Sequence, residues 1–273
     1  MQRLVNYDFV PKIITSFQDY ENIYLVTNII EGKSVNHYKK LIMTEEQIKF
    51  ISACVIQALV YLRKEKIIHR DIMMKNIIMD QDKYFNIIDF SSSIFYNDKN
   101  DSKKNMITYD MVTPPEILNN LNYDYNSDYY RLGCVLYYII FKKHPLIVKR
   151  ENNITDIIID DKYTKNYTFY CIDFLNKLII SDYKKRIGLK SINELKVHPW
   201  FKGFNWKNFE KKKIKSPFNF DNIKSDSLIC SNFYFSLKKK KSYINISSSL
   251  YYKSLIKNFD YINKRIFPRY YKI

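Results

Sequence analysis

The sequence predicts an α+β fold that is mainly helical, with a few strands gathered near its N-terminus. Three observations predict it. Two apolar runs at residues 10–17 and 23–30 flank the turn-like Gln18-Asp19-Tyr20-Glu21-Asn22 and read as a β-hairpin. Thr44, followed by Glu45, Glu46 and Gln47, has the spacing of a capping box, and Ile48, Ile51, Val55, Leu59 and Leu62 then share one helical face. Helical patterns resume at Glu116 and run to Trp200, clearest at 129–141, 173–180 and 191–197.

Composition bounds the rest. With 273 residues and 46% hydrophobic content, the chain has enough apolar surface for a large packed core. Cys54, Cys134, Cys171 and Cys230 show no paired spacing, so free thiols in a reducing compartment are expected rather than a zinc site or a disulfide framework. The start of the chain lacks a signal-peptide pattern, and the apolar run at 133–141 is far short of the roughly 20 residues of a membrane helix. An intracellular, cytoplasmic monomer without a membrane span is the expectation. The net charge of +17 is concentrated in residues 207–273, where 16 Lys and Arg face 4 Asp and Glu. Lysine runs such as 238–241 are usually solvated, so no specific nucleic-acid partner is expected. Beyond residue 220 Ser, Lys, Asn and Tyr dominate, which predicts an extended or disordered tail.

Chemistry concentrates in residues 67–90, IIHRDIMMKNIIMDQDKYFNIIDF. Short strands are expected at 77–79 and 85–88 around the turn Asp80-Gln81-Asp82, which puts His69-Arg70-Asp71, Asn76 and Asp89 on loops at the ends of a small hairpin. Phosphoryl transfer needs an acceptor for a hydroxyl proton and oxygen ligands that hold magnesium against phosphates. Asp71 can orient and deprotonate an alcohol, Asn76 offers an amide oxygen, and Asp89 offers the hard anionic oxygen that magnesium prefers.

HRDIMMKN at 69–76 resembles the HRDLKPEN of eukaryotic Ser/Thr protein kinases, and DFS at 89–91 resembles their DFG. TPPE at 113–116, SDYYRLG at 127–133, KKRIG at 184–188 and HPWF at 198–201 are similar to later landmarks of the same family, in the same order. FNWKNFEKKKIKSPF at 204–218 resembles the opening of the C-terminal tail in the AGC group, which includes the cyclic-nucleotide-dependent kinases. The aromatic Phe233-Tyr234-Phe235 reads either as a relic of that group's hydrophobic tail motif or as a cover for an apolar patch.

The resemblance implies a protein kinase-like fold: residues 1–30 a remnant of N-lobe strands and the hinge, with the N-lobe mostly missing; 31–206 a helical C-lobe; 207–273 a basic tail. It implies ATP and Mg2+ as cofactors and a protein substrate or partner protein. Asp71 is then the catalytic base, with Asn76 and Asp89 as metal ligands. Thr27 stands as gatekeeper, the backbone of Asn28 and Ile30 faces adenine, and Ile78 lies under the ring. His69 and Phe90 stack in the core, Asp128 holds the catalytic-loop backbone, and Arg186 pairs with Glu116. Arg70 is the partner of an activation-loop phosphate, with Ser102 and Thr108 as candidate acceptors.

The sequence departs from the pattern at several places. Met73 replaces the lysine that neutralises the transferred phosphate, leaving Lys75 as the substitute cation, and Ser91 replaces a glycine. The four glycines, at 32, 133, 188 and 203, form no glycine-rich loop, and no strand lysine is identified. Ser34, Lys75 and Tyr138 stand where arginine-directed kinases carry glutamates, so no preference for arginine-rich substrates is expected. Two functions follow: a Ser/Thr protein kinase, and a pseudokinase or docking module without phosphoryl transfer.

Overall fold

The computed structural model describes residues 7–18, 23–96, 112–119, 121, 123–145, 149–150, 153–154, 159, 166–219 and 261–262. They fall into a larger unit within Arg3–Lys12 and Asn28–Pro217, and a smaller one within Ile13–Thr27 and Phe218–Ile273.

In the smaller unit β1 (Ile13–Gln18) and β2 (Ile23–Thr27) pair antiparallel. Phe17 opposes Tyr24 across the pair with the rings stacked 4.7 Å apart, a cross-strand contact that favours this register. The short strand Tyr261–Ile262 lies along the other edge of β1.

The larger unit is built around two buried helices. In α1 (Glu45–Lys64) the side chain of Thr44 accepts from the Gln47 N–H and the Gln47 side chain accepts from the Thr44 N–H, closing the capping box. The five positions expected on one apolar face are buried, but so is every residue from 50 to 59. Such a helix is covered all round rather than amphipathic. One side meets α3 (Tyr125–Phe141) and another the small sheet that carries the loops of interest. Ser52, one of the polar side chains buried in this packing, turns back to donate to the Ile48 carbonyl at 2.8 Å. α3 packs in turn on α4 (Phe169–Ile179). A Cβ on Gly133 would sit 2.5 Å from the Ile179 side chain, so that crossing needs glycine.

Two small sheets position the motif residues. β3 (Lys33–Ser34), β5 (Ile77–Met79) and β6 (Phe85–Ile87) form an antiparallel set, and β4 (Ile67–Ile68) pairs with β7 (Ile94–Phe95). Residues 69–76 therefore run from one sheet to the other, and residues 88–93 run back. Gly32 approaches so closely that a Cβ would lie 1.7 Å from the Met79 carbonyl oxygen. The short helices α2 (Pro115–Leu118), α5 (Asn193–Lys196) and α6 (Trp206–Glu210) complete the unit.

Residues 207–217, assigned from the sequence to the tail, belong to the larger unit. Phe209 is fully buried against Phe9, Phe50, Tyr84 and Phe204. Lys212 pairs with Asp80 at 2.8 Å, and Ser216 donates to the Lys83 carbonyl at 2.8 Å, so this segment clasps the turn between β5 and β6. Phe233 to Phe235 and the lysine run at 238–241 lie outside the described residues, as do Ser102 and Thr108. Cys54, Cys134 and Cys171 are buried thiols outside any disulfide among the described residues. Among the described residues no helix is long and apolar enough to cross a membrane.

Candidate active site

The loop at 69–76 is held from beneath by a buried carboxylate. Asp128, in the first turn of α3, accepts the backbone N–H groups of His69 and Arg70, each at 2.8 Å. Burial pushes its pKa up to about 6, against the pull of those two N–H donors and of Arg131 and Arg70. His69 binds both loops: its Nε2 donates to the Ile88 carbonyl at 3.1 Å, and its Nδ1 accepts the Asp71 N–H at 3.2 Å. That pairing requires a neutral ring with its proton on Nε2. Burial lowers the imidazole pKa to about 4, and the ring packs edge-on against Phe90 at 4.8 Å.

Two residues of the site have left-handed backbone, Arg70 at φ 68° and Asp89 at φ 65°. Non-glycine residues hold such angles at a cost of about 1 kcal/mol or more, and they persist where the surroundings over-determine them. Here Asp128 fixes one turn and the Ile88 N–H, bonded to the Asn76 carbonyl at 2.9 Å, fixes the other.

Within this frame Asn76 Nδ2 donates to the Asp71 carboxylate at 2.8 Å and to the Asp71 carbonyl at 3.0 Å. The structure thus brings Asp71 and Asn76 into direct contact and places Asp89 one residue from the backbone bond that joins the two loops. Asp89 Oδ1 accepts from the Ser91 N–H at 3.2 Å and from its hydroxyl at 2.7 Å. Where the family pattern has a glycine, Ser91 thus adds a hydroxyl that bonds Asp89. The aspartate-x-serine spacing, a common side-chain turn, was the available signal. Lys75 is exposed on the 3-10 turn Met74–Asn76, and Met73 is half-buried.

The supporting residues are also resolved. Arg186 and Glu116 form a buried two-point ion pair at 2.6 and 2.9 Å. Arg186 further donates to the carbonyls of Asn126 and Ile180, and Glu116 accepts the Ser127 hydroxyl. Arg70 donates to the Ser92 carbonyl at 2.7 Å and lies over the Tyr123 ring. Thr27 ends β2 in the smaller unit, whereas Asn28, Ile30 and Ile78 belong to the larger one. Asn28 and Lys12 bond twice, the Asn28 N–H to the Lys12 carbonyl at 3.0 Å and the Lys12 N–H to Asn28 Oδ1 at 2.6 Å. Ile30 and Ile78 are half-buried.

This arrangement agrees with comparison to known proteins, in which the protein kinase domain model matches residues 1–201. The chain belongs to the protein kinase family. A probable serine/threonine-protein kinase of Dictyostelium discoideum is 27% identical over 223 residues, covering 78% of this chain and 48% of the relative. The RAC serine/threonine-protein kinase of Drosophila melanogaster is 28% identical over 230 residues, covering 78% of this chain and 36% of the relative. A putative human 3-phosphoinositide-dependent protein kinase 2 is 29% identical over 217 residues, covering 76% of this chain and 54% of the relative. The RAC and 3-phosphoinositide-dependent kinases are of the AGC type. This kinase-family chain matches between about a third and a half of their length.

Proposed function

We propose that the chain is a Ser/Thr protein kinase that transfers the γ-phosphoryl group of ATP to a protein hydroxyl with magnesium. The observation that carries this is the Asp71–Asn76 contact at 2.8 Å on a loop whose backbone is clamped by Asp128. One Asp71 oxygen is fixed by the Asn76 amide, and the other accepts the substrate proton. Asn76, whose Nδ2 is committed to Asp71, would offer its Oδ1 to magnesium, and Asp89, whose Oδ1 is held by Ser91, would offer its other carboxylate oxygen. One carboxylate and one amide oxygen, completed by phosphates, suit magnesium's preference for few protein ligands and hard oxygens. Magnesium, when bound, neutralises phosphate charge; the protein's residues position the hydroxyl and hold its proton. The backbone of Asn28 and Ile30 would face adenine, and Ile78 would lie under the ring. Lys75 supplies the charge that Met73 does not, and without a fixed cation the rate falls by on the order of 10²-fold.

A second reading, a docking module without transfer, is favoured by Met73 and by the Ser91 hydroxyl on Asp89. Magnesium-dependent ATP binding and autophosphorylation, measured beside an Asp71→Asn variant, separate the two. Phosphorylation lost in the variant with ATP binding kept supports the kinase, and equal signals from the two proteins sink it.

A further inference from the structure

The two most exposed large apolar side chains among the described residues are Ile42 at 88% and Phe169 at 78%, and they fall on segments that hydrogen bonds tie together. Ile42 lies just before the capping box that starts α1, and Phe169 begins α4. Glu45 accepts the N–H and the hydroxyl of Thr168, each at 2.7 Å, and the Tyr167 hydroxyl donates to the Met43 carbonyl at 3.4 Å. Leu41 and Tyr170, 43% and 51% exposed, flank the two protruding side chains. Lysines border this apolar cluster. Lys39 and Lys40 are exposed just before Leu41, and Lys142, at the end of α3, donates its Nζ to the Leu41 carbonyl and brings the exposed Lys143 with it. Of the two carboxylates these segments carry, Glu45 is held by Thr168 and by Trp200 at 2.8 Å, and Glu46 is exposed.

We propose that this face binds the surface of an anionic lipid bilayer, with Ile42 and Phe169 entering the acyl boundary and the lysines on the headgroups. The proposal goes beyond the kinase reading and needs no phosphoryl transfer. Shape supports it: side chains this exposed stand out from the surface, so a folded partner would need two matching pockets, whereas a fluid headgroup layer closes around a protrusion. Tyr170 suits the same boundary, its ring in the apolar layer and its hydroxyl among the headgroups. Charge supports it as well. Four lysines against two glutamates leave these segments net positive, and an anionic leaflet rewards each nearby lysine with about a fivefold gain in binding. The lysine stems are long enough to reach headgroup phosphates while the apolar tips insert. A second copy of this chain is disfavoured as the occupant, because a two-fold contact through this face would set lysines against lysines.

The test uses the full chain and vesicles of phosphatidylcholine, alone or mixed with phosphatidylserine, with binding read by co-sedimentation. Residues 207–273 carry 16 Lys and Arg against 4 Asp and Glu and also attract anionic lipid, so the decisive comparison is among variants that share that segment. The native chain is expected to bind the mixed vesicles, and Ile42→Ser combined with Phe169→Ser to weaken that binding by about tenfold or more. Lys39→Glu combined with Lys40→Glu is expected to weaken it by at least about tenfold. All four side chains are exposed, and circular dichroism melting verifies that both double variants fold. An Ile42→Trp variant reports insertion directly: its added emission is quenched by brominated phosphatidylcholine in mixed vesicles, against the background of Trp200 and Trp206 in the native chain. Equal binding by the native chain and both double variants assigns the binding to residues 207–273 and overturns the proposal. So does failure to bind the mixed vesicles, or added emission that the brominated lipid leaves unquenched. A lipid-free dimer seen by size-exclusion chromatography and abolished by Ile42→Ser with Phe169→Ser makes the face a contact between copies, and overturns it too.

Discussion

Replacing Glu116 with alanine removes the carboxylate from a guanidinium that has no exposed surface. The pair is bidentate at 2.6 and 2.9 Å, with the Arg186 side chain 0% and that of Glu116 4% accessible. Arg186 keeps its bonds to the Asn126 and Ile180 carbonyls, at 3.0 and 3.1 Å, but these dipoles do not neutralise a full buried charge. Breaking one side of such a pair costs about 3–5 kcal/mol, a large part of the 5–15 kcal/mol that holds a domain of ordinary stability. Arg186→Met is expected to cost as much, because the stranded carboxylate retains only the Ser127 hydroxyl at 3.1 Å. Glu116→Leu combined with Arg186→Met substitutes apolar volume for both charges. It forfeits the donors to Asn126 and Ile180, at about 1 kcal/mol each, but strands no ion. The double variant is therefore expected to lose about 2 kcal/mol, less than either single variant. Urea unfolding followed by circular dichroism, with the slopes checked for equality, gives the three losses. Single losses below about 1 kcal/mol, or a double loss equal to the sum of the singles, would show that the pair is not the buried, coupled unit described here.

Other consequences follow from single contacts. The His69 imidazole, held neutral with its pKa lowered to about 4, contributes stability that is present above pH 6.5 and is lost as pH falls toward 4, up to about 3 kcal/mol. Asp128, raised to about 6, acts in the opposite sense over the same interval, since its buried charge costs stability above pH 6 and is relieved by protonation below it. The two offset, so the chain is expected to be nearly flat in stability from pH 4 to 6 as far as this site governs it; an NMR titration placing the His69 midpoint near 6.5 would contradict the arrangement. Gly32→Ala is expected to destabilise by about 3 kcal/mol or more, since its Cβ would meet the Met79 carbonyl at 1.7 Å. Gly203→Ala, with nothing within 4 Å but a φ of +79°, should cost only about 1 kcal/mol, and equal thermal shifts for the two would refute the clash. On the proposed kinase reading, Ser91→Gly releases Asp89 Oδ1 from a 2.7 Å hydroxyl bond and is expected to lower the magnesium concentration that half-saturates ATP binding by about fivefold; calorimetry showing no change would rule out competition by the hydroxyl.

Sequence order alone disclosed most of the scaffold, because its signals are local. The capping box at Thr44, the hairpin around Asp80 and the run at 129–141 each depend on residues a few places apart. What escaped is non-local. Periodicity marked one face of α1, but only the approach of α3 on one side and β6 on another explains why Cys54, Gln57 and Ala58 are buried too. Nothing in the run KKKIK shows that Lys212 will reach Asp80 across 132 positions, so a helix and a clasp read as the start of a tail. At the site, the residues were legible as a set through motif resemblance, whereas their electrostatics were not. That Asp128 titrates high and His69 low depends on how completely α3 and the two small sheets exclude water.

The contacts also divide the motif residues by what their presence implies. Asp128 fixes two backbone turns, His69 joins two loops, and Arg186 neutralises a buried acid, so a chain with no catalytic work would still lose its fold without them. Their presence is therefore weak support for activity. Asp71 and Asp89 differ, for each side chain bonds only a partner within its own loop, Asn76 in one case and Ser91 in the other, and the Ser91 contact is exposed. Asp71→Asn and Asp89→Asn are accordingly expected to shift stability by less than about 1 kcal/mol, against about 3 kcal/mol for Asp128→Ala, which leaves two buried N–H groups unpaired. If unfolding curves give that ordering, structure alone does not require carboxylates at 71 and 89, and their coincidence with a proton acceptor and a metal ligand favours phosphoryl transfer over a docking role. If Asp71→Asn instead destabilises as much as Asp128→Ala, that preference disappears, and Met73 becomes the stronger indicator of the two.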